Sequence, residues 1–95
     1  MQLDFLTQLE NIIKERKQNL PEGSYTTSLF KKGHDKILQK LGEEAVEYII
    51  DAKNENSERA ISEGADLIFH LLMSLAYQGL SLADIVAELE KRHKK

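Results

Sequence analysis

The sequence predicts an all-α fold, a hairpin of two long helices with shorter helices flanking it, doubled by dimerisation into a larger bundle. Three observations point there. Apolar residues recur at helical spacing through most of the 95 residues, and no stretch alternates convincingly with period two. Two long helical segments lie on either side of the polar break from Asn54 to Ser57. The second of them is apolar over more than half its circumference, which asks for more neighbours than a chain this short supplies and implies an oligomer, most simply a two-fold homodimer.

The first segment, about Asp4 to Lys17, carries Phe5, Leu6, Leu9, Ile12 and Ile13 on a narrow stripe suited to a single neighbour, and Arg16 extends that stripe. Asn19, Pro21, Gly23 and Ser24 break it. The hydroxyl-rich run Ser24-Tyr25-Thr26-Thr27-Ser28 either caps a short helical turn, the commoner role, or contacts a ligand. Gly33 separates that turn from a long helix, about His34 to Lys53, with Leu38, Leu41, Ala45, Tyr48, Ile49 and Ala52 on its apolar side. Lys40, Glu44, Glu47 and Asp51 form a stripe along one margin of that side. Asn56 or Ser57 is expected to cap the next helix, about Glu58 to Gln78, closed by Gly79. Its wide apolar arc takes in Ala60, Ile61, Leu67, Ile68, Phe69, Leu71, Leu72, Leu75 and Ala76. Gly64, which costs about 1 kcal/mol relative to Ala inside a helix, is expected to mark a close helix approach. Ser81-x-x-Asp84 fits a capping box for a last helix bearing Leu82, Val86 and Leu89, followed by the basic tail His93-Lys94-Lys95. Residues 1–95 read as one small domain without repeats.

Composition narrows the functional classes. With 41% hydrophobic and 31% charged residues, and no apolar run near the roughly 20 residues of a membrane span, the chain is expected to be a soluble protein without a membrane partner. Asp4 and Glu10 sit where a signal peptide would be basic, so a cytoplasmic location is expected. The absence of cysteine excludes disulfides and thiolate zinc sites, leaving oxygen or imidazole to hold any metal. A net charge of −3 argues against nucleic-acid binding, although Lys31, Lys32, Lys36 and Lys40 gather just before the first acidic couplet.

The candidate site consists of two such couplets, Glu44-x-x-Glu47 and Glu63-x-x-Asp66. Each i, i+3 pair lies on one helix face, and both pairs stand roughly nine residues, about 14 Å of helix, from the intervening turn. In an antiparallel hairpin they are level, and both are displaced from the apolar stripe in the same rotational sense, so all four carboxylates converge on one side. Gathered without counter-charges they would repel, which a hard divalent cation, Mg²⁺ or Mn²⁺, would relieve. Ordinary solvated helix charges are the alternative. His70, one turn beyond Asp66, is open to three roles: metal ligand, support for a carboxylate or substrate contact. A plain structural histidine is the commoner case. Lys40 can pair with Glu44 at i, i+4 or bind phosphate.

The strings Ser24-Tyr25-Thr26, Leu29-Phe30, Gly33, Ile37, Lys40, Gly42-Glu43-Glu44-x-x-Glu47 and Glu63-x-x-Asp66-Leu67-x-x-His70 resemble the phosphoribosyl-ATP pyrophosphohydrolases of histidine biosynthesis. The likeness runs from the first helix to the last. The couplets alone indicate only the broader all-α nucleotide pyrophosphohydrolases, and the Ser-Tyr-Thr and Lys-x-Gly-Glu-Glu strings narrow it. The resemblance implies hydrolysis of a small-molecule nucleotide, 1-(5-phosphoribosyl)-ATP, to phosphoribosyl-AMP and pyrophosphate with Mg²⁺ as cofactor. Glu44, Glu47, Glu63 and Asp66 would hold the ion, which neutralises the triphosphate and lowers the pKa of a bound water. Glu43 or Glu47 is the candidate base. Lys32, Lys36 and Lys40 would meet the phosphates, and Ser24, Tyr25, Thr26 and His70 the rest of the substrate. Some relatives are fused to a cysteine-dependent zinc cyclohydrolase, so the next pathway step is expected to belong to another protein. Two alternatives remain, a MazG-type enzyme acting on other nucleoside triphosphates and a non-catalytic helical dimerisation module. A di-iron bundle fits less well, lacking Glu-x-x-His couplets.

Overall fold

Five helices make up the fold in the computed structural model, which describes residues 4–94: α1 (Phe5–Asn19), α2 (Tyr25–Lys32), α3 (His34–Lys53), α4 (Ser57–Tyr77) and α5 (Leu82–His93). No strand occurs among the described residues, in agreement with the all-α expectation. Lys95, the end of the basic tail, lies outside them. The expected turn after Ser24 is an eight-residue helix, while the long helices begin and end within a residue of their expected bounds.

Local chemistry sets most of these boundaries. Ser24 Oγ accepts the Thr27 N–H at 3.2 Å and Asn56 Oδ1 accepts the Arg59 N–H at 3.3 Å, so both are N-caps. Gly33, at φ 101°, breaks the chain between α2 and α3 in a conformation that other residues rarely adopt. At the end of α4 the Leu80 N–H reaches Leu75 O at 2.8 Å and the Gly79 N–H reaches Ala76 O at 3.1 Å, with Gly79 at φ 75°, a Schellman closure. That closure turns α5 by 104° away from α4. Asp84 Oδ2 accepts the Ser81 N–H at 2.9 Å, the acidic half of the expected capping box.

Ile13, Leu29, Phe30, Ile37, Leu72, Met73, Leu75 and Ala76 form one core. It lies where α1, α2 and the start of α3 meet the C-terminal half of α4. The far end of the α3–α4 hairpin is bare, with Val46, Ile49, Ile50 and Ile61 all more than half exposed. The expected apolar side of α3 is therefore only partly correct. Leu41 and Ala45 are half-buried and Leu38, Tyr48 and Ile49 are exposed, whereas the two buried residues of α3 are Ile37 and Glu44. α3 turns toward its own chain a face roughly a quarter turn from the one its apolar pattern marks. Likewise Phe5 and Ile12 are exposed on α1, and the buried positions are Glu10 and Ile13. Gly64 does not mark a tight approach either: a Cβ there would stand 3.8 Å from the Tyr48 ring, ordinary contact. Among the described residues no single helix is long and apolar enough to cross a membrane.

Polar ties close the packed end. The Lys17 ammonium donates to Ala76 O at 2.7 Å, satisfying a carbonyl in the last turn of α4. His34 Nε2 lies 2.9 Å from Ser74 Oγ, and its ring stacks on Tyr77 at 4.7 Å between centroids. Buried Glu10 accepts the Leu82 N–H at 2.6 Å, so a carboxylate of α1 caps the first turn of α5. Removing it leaves that donor without a charged partner, and Glu10→Ala is expected to lower stability by about 1.5–3 kcal/mol. Urea unfolding should show a lower midpoint at unchanged slope; a shift under ~0.5 kcal/mol would mean that water replaces the carboxylate at no cost.

Candidate functional site

The hairpin brings together three of the four couplet acids. One oxygen each from Glu44, Glu63 and Asp66 lie within 4.8 Å of one another. Glu44 and Glu63 are buried and Asp66 is exposed, so the cluster runs from the interior to the surface. Glu63 Oε2 is fully buried and has no hydrogen-bond partner. The Glu63 carboxyl is pushed up to about 7, first by hydrogen bonding with Glu47, then by loss of water, then by Glu44. Glu47, the fourth couplet acid, is exposed and near enough to act on Glu63, while the convergent group itself is Glu44, Glu63 and Asp66. Near neutral pH the Glu63 carboxyl therefore tends to hold a proton, which relieves the repulsion of a second buried charge. Oxygen-only donors around an orphaned buried carboxylate oxygen fit a hard divalent cation.

Counter-charges flank the cluster, among them the i, i+4 pairing of Lys40 with Glu44 that the sequence allows. Lys40 Nζ lies 3.7 Å from Glu44 and 3.5 Å from Glu43. Arg59 reaches Glu63 at 3.4 Å and Asp51 at 3.9 Å. The sequence reading missed Arg59, although its position four residues before Glu63 is a usable signal. Arg59 is more than half exposed, so these contacts hold little energy and yield readily to another cation.

The other predicted residues divide. Tyr25 joins the cluster: its hydroxyl is 3.0 Å from His70 Nε2, and burial first, then the charges of Glu44, Asp66 and Glu43, raise its pKa against the opposing Lys40. His70 is buried, with Nδ1 2.7 Å from the main-chain oxygen of Asp66. Glu43 points outward, accepting from Gln39 Nε2 at 3.0 Å, and its carboxyl is held below the usual range by that bond first and then by Lys40 and Lys36. Lys36 is thus near Glu43. Lys32 sits exposed in the last turn of α2 and meets no acid by ion pair, Thr26 is buried, and Ser24 receives Arg16 Nη1 at 3.1 Å in addition to capping α2.

An all-α hairpin that gathers carboxylates from both arms has the architecture of the helical nucleotide pyrophosphohydrolases. Residues 6–93 match the family model of phosphoribosyl-ATP pyrophosphohydrolase. The phosphoribosyl-ATP pyrophosphatase of Leptospira biflexa is 54% identical, over 96% of this chain and 99% of its own. That of Clostridium acetobutylicum is 50% identical, over 97% of this chain and 84% of its own. The histidine biosynthesis bifunctional protein HisIE of Bacteroides thetaiotaomicron is 51% identical over 94% of this chain, which spans only 44% of that longer protein. The chain belongs to the phosphoribosyl-ATP pyrophosphohydrolase family.

The raised Glu63 sets a pH dependence with a definite sign. The folded state holds a proton that the unfolded chain releases near its ordinary value of 4.5, so this contribution is fully present below that value and lost as pH rises toward about 7. Without added metal, the melting temperature should fall between pH 5 and 8, and Glu63→Gln should flatten the fall. A wild-type curve flat across that window would show that Glu63 does not hold the proton.

Proposed function

We propose that this chain hydrolyses 1-(5-phosphoribosyl)-ATP between its α and β phosphates, giving phosphoribosyl-AMP and pyrophosphate, the second step of histidine biosynthesis, with Mg²⁺. Membership of the family supplies the substrate. The observation that carries the chemistry is the convergence of Glu44, Glu63 and Asp66, with Glu47 against Glu63, around a buried oxygen that lacks a partner.

Glu44, Glu47, Glu63 and Asp66 would hold the ion. When bound, it would neutralise triphosphate charge and favour ionisation of the attacking water. The chain's own residues do the rest. Lys40, already at the lip of the cluster, and Lys36 beside it offer cations to the phosphates, the positioning and charge neutralisation that phosphoryl transfer chiefly needs. Of the two candidate bases, Glu47 fits better than Glu43. Glu43 is committed to Gln39 and Lys40, whereas Glu47 is exposed to solvent and lies close enough to Glu63 to raise its pKa. Water oxygen bonds to the α-phosphorus, its proton passes to Glu47, and the bond from that phosphorus to the bridging oxygen breaks in line to release pyrophosphate.

A second copy of the chain is the proposed cover for the bare end of the hairpin. The exposed Val46, Ile49, Ile50 and Ile61 supply an apolar surface on both arms, which a two-fold pair would bury. Leu72 is fully buried in the core of its own chain, so a charge there would test folding, and assembly is better probed at Ile49 and Ile61.

Incubation with phosphoribosyl-ATP and Mg²⁺ should yield pyrophosphate and a monophosphate, and successive release of orthophosphate would overturn the assignment. Mg²⁺ should also stabilise the protein beyond NaCl of equal ionic strength, by about 2.7 kcal/mol at a hundredfold excess over Kd. Glu44→Gln and Asp66→Asn should lose most of that gain and most activity, while Glu90→Gln, on the exposed face of α5, keeps both; equal responses in all three would leave the site without a basis. Light scattering should give about twice 10.9 kDa, and Ile49→Glu with Ile61→Glu should give a folded monomer. A folded wild-type monomer would refute the pairing.

A further inference from the structure

The hydrogen bonds of His70 and Tyr25 have a direction that can be read from their inner end. His70 Nδ1 lies 2.7 Å from the main-chain oxygen of Asp66. A carbonyl only accepts, so Nδ1 carries the proton, and Nε2 of the neutral ring keeps a lone pair that only accepts. Tyr25 Oη, 3.0 Å from Nε2, must then donate its single proton to it. The tyrosine cannot turn away easily. Its ring stands at 89° to His70 and lies along Phe69 at 6.2 Å, and Phe69 in turn meets the His70 edge at 5.2 Å. His70 itself is 4% exposed, while Tyr25 is 51% exposed at the mouth of the carboxylate cluster.

A phenol whose proton is committed inward offers only oxygen lone pairs outward. Phosphate oxygens are themselves acceptors at neutral pH and gain nothing from it. A hydroxyl or N–H group does. We propose that His70, anchored on the Asp66 carbonyl, is a positioning residue that fixes Tyr25 as a hydrogen-bond acceptor for a donor on the ribosyl or base portion of the nucleotide, and not for its phosphates. The proposal rests on the substrate reading above. It assigns His70 no direct contact with substrate or ion, and it makes Tyr25 a determinant of which triphosphate is accepted.

Two measurements on the full chain test it. In ¹⁵N NMR of the metal-free protein, His70 should show protonated Nδ1 and bare Nε2, the minor tautomer of free histidine, and Tyr25→Phe should shift the Nε2 resonance. Protonated Nε2 would overturn the proposal whatever the enzyme's substrate. In steady-state assays with Mg²⁺ and phosphoribosyl-ATP, Tyr25→Phe should raise KM about tenfold with a much smaller change in kcat, the size of one hydrogen bond. His70→Phe should do nearly the same, His70→Gln, which restores an acceptor, should recover most of the loss, and His70→Phe added to Tyr25→Phe should cost less than a further twofold. Competitive inhibition by inorganic tripolyphosphate, which has no donor, should be the same in all of these. Independent, multiplying effects of the two residues, or a parallel loss of tripolyphosphate affinity, would refute the device. A wild type inactive on phosphoribosyl-ATP would instead refute the substrate reading, with the tautomer still deciding the positioning role.

Discussion

The repulsion among carboxylates at the middle of the α3–α4 hairpin is the constraint around which the rest is arranged. Glu44 and Glu63 are buried, Glu47 raises the pKa of Glu63, and one oxygen of Glu63 accepts no hydrogen bond among the described residues. Burying charge in this way is costly unless a proton, a basic side chain or a cation intervenes. All three are within reach. Glu63 holds a proton near neutrality, Lys40 and Arg59 stand at the two ends, and the oxygen-only floor suits a divalent ion. A site so placed is unfavourable to the folded state, and under the proposed function a bound cation would offset that cost.

The hairpin tolerates this because its packing is concentrated elsewhere. α1, α2, the start of α3 and the end of α4 bury Ile13, Leu29, Ile37, Leu72 and Met73 almost completely, and charge-assisted bonds from Lys17 and Glu10 tie the same end. The carboxylates sit at the border between this closed end and the bare, apolar end formed by Val46, Ile49, Ile50 and Ile61. One end of the hairpin is therefore held by its own chain, and the other end of both arms is left exposed.

Helix capping and the carboxylate cluster draw on adjacent residues at the start of α2. Ser24 starts the helix by accepting the Thr27 N–H and also receives Arg16, which ties α1 to the start of α2. The next residue, Tyr25, is thereby set at the first position of α2, where its ring reaches across to Phe69 and His70 on α4. A hydroxyl-rich string that reads as either a cap or a ligand contact is in this chain a cap at Ser24 and a member of the carboxylate cleft at Tyr25.

Sequence alone determined the helix periods, the caps at Ser24, Asn56 and Ser81, the Gly33 and Gly79 stops, and the equal distance of both acidic couplets from the turn. Each of these is local: it depends on residues within a turn or two of one another, and two couplets level on antiparallel arms need only the turn to bring them together. The family strings were legible for the same reason, being contiguous. Tertiary structure alone decided which face of α3 would meet its own chain, burying Glu44 beside Ile37 and leaving Ile49 outside. It also decided that Glu10 would cap α5 across 72 residues, that Arg59 would reach across the turn to Asp51, and that Tyr25 would find His70. Periodicity marks an apolar face but not its partner, and the partner is fixed by how the helices pack, a relation among distant residues that no single segment encodes.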